Sequence, residues 1–123
     1  MYDTLMMLKP NVSFTTDELH SILIDITRSM SRNVERDGNR LRVTTEGACL
    51  AITWNDSPHV MEESNEIAER FGVPSRGCRA RFEMAGEDPD MELLNDYMLI
   101  NEELQATGNF VIFDTQECRL LFD

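Results

Sequence analysis

The order in which apolar runs of strand period and helix period succeed one another constrains this chain more than any other feature. Residues 2–8 (YDTLMML) read as a first strand, closed by Lys9-Pro10-Asn11. Thr15-Thr16-Asp17-Glu18 then has the capping-box form, in which the Thr15 hydroxyl and the Glu18 carboxylate satisfy each other's free backbone N–H groups. Phe14 before the cap and Leu19 after it are spaced as a hydrophobic staple. Leu19, Ile22, Leu23, Ile26 and Met30 repeat at the spacing of a core-facing helix, which predicts a helix over 16–31. Asp37-Gly38-Asn39 is a turn. Strands over 40–45 and 48–54, joined at Glu46-Gly47, read as a hairpin with Leu41 and Val43 facing one way and Arg40, Arg42 and Thr44 the other.

Ser57 as N-cap and Pro58 at the first helical position open a second helix. Its inward stripe is Val60, Ser64, Ile67, Ala68 and Phe71, and Gly72 stops it. Residues 79–85 alternate as a fourth strand. Asp88-Pro89 repeats the cap-plus-proline device, so a third helix is expected from there to Gly108, with a wide apolar stripe through Met91, Leu94 and Met98 together with Leu93, Tyr97, Ile100 and Leu104. Phe110–Phe113 and Cys118–Phe122 read as a closing hairpin. The glycines are scattered, one per expected turn.

The first six elements, β-α-β-β-α-β, resemble the split βαβ arrangement of the ferredoxin-like fold. The expected class is therefore α+β: a ferredoxin-like core with an antiparallel or mixed sheet and two helices on one face. The added helix and C-terminal β-hairpin would extend the sheet or cover its edge. An α+β sandwich with another strand order is the alternative. One domain over 1–123 is expected, since 123 residues enclose a single core.

The N-terminus lacks a basic stretch followed by a long apolar one, and no apolar run is long enough to span a membrane, so neither leader nor anchor is expected. Cys49, Cys78 and Cys118 are an odd number without a C-x-x-C pair, which fits free, buried thiols in a reducing cytoplasm. With 23 acids against 11 bases the net charge is −12, which argues against direct contact with nucleic acid or an anionic membrane.

Catalytic and metal-binding signatures are weak. His59, Glu62 and Glu63 occupy neighbouring faces of one helical turn and are the sole acid–base trio; an enzyme would use His59 with Glu62 or Glu63. The plainer reading is a solvated first turn whose acids suit the helix dipole. No metal set, glycine-rich phosphate loop or cofactor motif is present, and no cofactor is expected.

The charge distribution is uneven. Between Arg81 and Arg119 there is no Lys or Arg, while ten acids occur there. Read as helical, Asp88, Glu92, Asp96 and Glu103 share one outward face, with Glu87, Asp90 and Glu102 around them. Such a face either keeps the chain soluble or meets a cation; on the latter reading these seven residues are the expected surface for a positively charged protein partner. In size, charge and element order the chain resembles small acidic α+β proteins among which immunity proteins of bacterial toxin systems are common; that resemblance implies an inhibitor docked on a cationic toxin or nuclease. A second reading makes the chain a ligand-binding or regulatory domain, able to form a homodimer, with Arg40, Arg42, Arg79 and Arg81 converging on a small anion.

Overall fold

A computed structural model describes residues 2–122. The strands are β1 (Tyr2–Leu8), β2 (Asn33–Asp37), β3 (Arg40–Thr45), β4 (Ala48–Asn55), β5 (Arg81–Glu87), β6 (Phe110–Asp114) and β7 (Arg119–Leu120). The helices are α1 (Thr16–Thr27), α2 (His59–Phe71) and α3 (Leu94–Ala106). All seven strands form one antiparallel sheet in the order β2-β3-β4-β5-β1-β6-β7. The α+β class therefore holds, but the ferredoxin-like order does not. That order would seat β1 between β4 and β5, antiparallel to both, whereas β1 lies between β5 and β6, and β4 pairs with β5 instead.

The helices occupy both faces, not one. Leu19 and Leu23 of α1, with Tyr97, Ile100 and Leu104 of α3, pack on one face over Met6, Leu41, Val43, Leu50, Ile52, Phe82, Met84 and Ile112. Phe14, Phe82, Phe110 and Trp54 form an aromatic cluster there, with edge contacts at 4.9–6.1 Å. On the other face Ile67 of α2 packs with Val73 and Cys78 against Met7, Val111 and Phe113. Met6 and Met7 are both fully buried, as only a central strand covered on both sides requires. α2 reaches β5, β1 and β6, so the same face of β3 and β4 stays uncovered.

Local signals explain most boundaries. The Thr15 hydroxyl accepts the Glu18 N–H at 3.2 Å, the N-cap half of the expected capping box; no reciprocal bond to the Glu18 carboxylate is formed among the described residues. Gly72, left-handed at φ 69°, returns its N–H to Ala68 and ends α2. Several expectations shift. α1 stops at Thr27, whose hydroxyl bonds back to the Leu23 carbonyl, and the chain turns at 28–32 to start β2. β2, NVERD, has a single apolar residue and no alternation to read; its charges suit an exposed sheet edge. Ser57 does not cap α2: its hydroxyl and its N–H both go to the Asn55 side chain. α3 starts at Leu94 rather than after Asp88, because Met91 takes a left-handed backbone at φ 57° and residues 88–93 form turns instead. Gly86 lies within β5, not in a turn. Of the three free thiols only Cys78 is buried; Cys49 is half-buried and Cys118 exposed.

Candidate functional site

The seven acids expected on one helical face are divided by the fold. Asp96 turns inward and is fully buried; both its oxygens accept from the Arg32 guanidinium at 3.1–3.3 Å, and Arg32 also donates to the Glu92 carbonyl. Asp88 is buried as well, accepting the N–H groups of Glu92 and Leu93 at 2.7 and 2.8 Å and the Tyr2 hydroxyl at 2.6 Å. These two carboxylates build the β5–α3 connection and offer nothing to a partner. Glu102 and Glu103 are exposed but sit toward the far end of α3, with Glu103 beside Ile22, Asp25 and Ile26 of α1. The periodicity argument failed because residues 88–93 are not helical and because Asp96, within α3, faces Arg32 rather than solvent.

Burial pushes the Asp88 carboxyl up, but the Tyr2 hydroxyl and the Leu93 and Glu92 N–H groups outweigh it, leaving the group below the usual Asp value. A carboxyl lowered on folding stabilises above its unfolded pKa, and that stability is lost as pH falls through its folded pKa. Asp88→Asn is thus expected to cost about 2 kcal/mol at neutral pH, by urea unfolding, with the gap from the parent shrinking below about pH 4. A gap independent of pH would mean the carboxylate charge is not what the connection uses.

The remaining acids gather differently from the expectation. The ends of β3, β5 and β6 and the starts of β1 and β4 meet at one end of the sheet. Asp3, Glu46, Glu87, Asp90 and Glu92 are all exposed there, and the Glu92 carboxylate lies over Gly47 in the β3–β4 turn, next to Glu46. Asp114 and Glu117 stand in the β6–β7 turn at the same end, with Arg119 opposite Asp114. None of Asp3, Glu46, Glu87, Asp90 or Glu92 is within ion-pair distance of a described cation. Beside them Met91, Leu94 and Met98 are 69%, 41% and 37% exposed, so three of the seven residues of the apolar stripe expected to face the core face solvent. The sequence reading missed Asp3 and Glu46, which only strand pairing brings in.

The four arginines do not converge. Arg42 pairs with Glu35 at the sheet edge, and Arg40 is exposed at the start of β3. Arg81 is buried two strands away, paired with Glu63 of α2 and Glu83 at 2.8 and 2.7 Å. Arg79 precedes β5 and is exposed.

His59 belongs to the network that locks α2 to β5. Its Nε2 is 3.6 Å from Glu63, which is held by Arg81, while Glu83 accepts from Arg81 and Asn55. The Ser57 hydroxyl lies 3.2 and 3.3 Å from the two His59 ring nitrogens and bonds Asn55 at 2.7 Å. A hydroxyl flanking the ring and donating elsewhere is not aligned for proton transfer to one imidazole nitrogen. The Cys78 thiol is pushed up to about 11 by burial, only partly offset by Lys9, which keeps it protonated and unreactive at neutral pH. Among the described residues no group of three His, Cys, Asp or Glu side chains is placed to hold a metal ion, and no helix is long and apolar enough to cross a membrane. Comparison of the chain with protein-family models, with curated proteins and with solved structures finds no match.

Proposed function

We propose that this protein is a docking domain that binds a positively charged protein through the acidic end of its sheet. The observation that carries the reading is the meeting of Asp3, Glu46, Glu87, Asp90 and Glu92, from separate segments and without ion-pair partners among the described residues, beside the exposed Met91, Leu94 and Met98. Like charges held together destabilise the free chain, and a cationic surface relieves that repulsion while speeding encounter. Exposed methionines beside these acids suit an adaptable contact surface, because Met is flexible and enriched at interfaces. Of the seven acids read from the sequence, Glu87, Asp90 and Glu92 stay in this reading. Inhibition of a cationic toxin or nuclease, as immunity proteins perform, is one form it takes, and a basic subunit of a complex is another.

The test uses a partner captured from the source cells and then purified. Glu87→Lys with Glu92→Lys is expected to slow association at least about tenfold, and raising salt from about 50 to 500 mM should slow the parent similarly. Leu94→Ser with Met98→Ser should instead speed dissociation by about tenfold. Glu102→Lys with Glu103→Lys, an equal charge change away from the site, should leave both rates within about twofold. Binding indifferent to salt and to the Glu87 and Glu92 reversals would overturn the reading.

A further inference from the structure

The opposite end of the sheet, where β1 ends and β5 begins, carries a cleft of about 500 Å³. That volume falls in the range of small-molecule sites. Three segments form it: the chain leaving β1, the first turn of α2 and the connection into β5. Its making is specific. The Leu8 N–H bonds the Ala80 carbonyl at 3.0 Å, tying the first segment to the third. Asn11 takes a left-handed backbone at φ 66°. Gly77, at φ 83°, is held by the Asn65 side chain at 2.8 Å, and a Cβ there would stand 3.3 Å from the Pro10 ring. The two loops are therefore fixed against each other before any ligand arrives, which reduces the ordering cost of binding.

The lining is unusual for a chain of net charge −12. It contains Lys9 and Arg79 and no carboxylate. Both cations are exposed, and neither forms an ion pair among the described residues; Arg40, Arg70, Arg76 and Arg119 form none either, but none of those four lines this cleft. Pro10, Val12 and Met61 supply apolar wall, and Asn11 adds an amide. Val12 and Met61 are each 37% exposed, so the wall is uncovered.

We propose that this cleft binds a small organic anion, its carboxylate or phosphate taken by Lys9 and Arg79 and its apolar body lying on Pro10, Val12 and Met61. The site is separate from the acidic end and stands whether or not a protein docks there. Two cations without acidic partners are what an anionic head group requires, since charge-assisted hydrogen bonds are the strong ones. The apolar wall discriminates an organic anion from a bare one.

The experiment is an NMR titration of the whole chain with phenyl phosphate, phenylacetate, inorganic phosphate and benzyl alcohol. One or both aromatic anions should give saturable shifts confined to the amides of residues 8–12 and 77–80, and the tighter of the two names the head group. Inorganic phosphate and benzyl alcohol should each bind at least about tenfold more weakly, lacking the body or the charge. Lys9→Gln with Arg79→Gln should weaken the aromatic anion at least about tenfold, and Met61→Glu should do the same from the apolar side. Arg28→Gln with Arg119→Gln, the same charge change elsewhere, should leave affinity within about twofold. No saturable shift up to about 10 mM, or shifts that survive the Lys9 and Arg79 substitutions, would overturn the assignment.

Discussion

Arg32→Ala is expected to lower the unfolding free energy by about 4 kcal/mol, because it leaves the Asp96 carboxylate buried without a counter-charge. Arg32 is 17% exposed and Asp96 fully enclosed, and the guanidinium reaches both carboxylate oxygens and the Glu92 carbonyl at once. The pair joins the turn after α1 to the first turn of α3, so its loss frees one end of the helical layer. Urea unfolding followed by Trp54 fluorescence measures the effect. Replacing both partners with apolar residues, Arg32→Met with Asp96→Leu, should restore most of the loss, since the large cost belongs to the unpaired charge rather than to the absent bond. A loss below about 1 kcal/mol for Arg32→Ala would show that water reaches Asp96 and that the pair behaves as a surface bridge.

Gly86→Ala is expected to cost about 3 kcal/mol, by forcing a methyl group into filled space. An added Cβ would lie 2.6 Å from a Leu50 methyl and 2.7 Å from the Cys49 carbonyl oxygen. The methyl can rotate away, but the carbonyl is part of β4 and moves only with the strand. The Tyr2 ring, 3.3 Å from the same point, is stacked on Tyr97 at 4.4 Å and bonded to Asp88. Displacing it disturbs the β5–α3 connection that positions Glu87, Asp90 and Glu92. The substitution should therefore lower stability and also shift the amide resonances of residues 88–93; unchanged stability would mean the sheet flexes there at little cost.

The Thr15 N-cap and the left-handed stop at Gly72 were legible because both are contacts within a few residues. The inward stripe of Leu93, Tyr97, Ile100 and Leu104 was legible for the same reason: all four are buried. Asp88 misled, because an acid before a proline looks like a helix cap, whereas its oxygens serve Tyr2, distant in sequence, and the N–H groups of Glu92 and Leu93. The face drawn through residues 88–103 assumed one continuous helix, and it dissolved once α3 began at Leu94. β2 left no signal, since an edge strand with polar side chains has no buried face to mark. Lys9 and Arg79 lie 70 positions apart, and nothing local shows that they line one cleft.

The chain by itself determined the α+β class, most of the elements and the excess of acid in its last third, because periodicity, capping and charge are properties of neighbouring residues. Strand order, the burial of Asp88 and Asp96, the gathering of Asp3 and Glu46 with Glu87 and Glu92, and the cleft at the opposite end were decided only by tertiary structure. Alternation shows which face of a strand is buried but not which strand lies beside it. Which carboxylate is desolvated depends on the cations and N–H groups that distant segments bring to it.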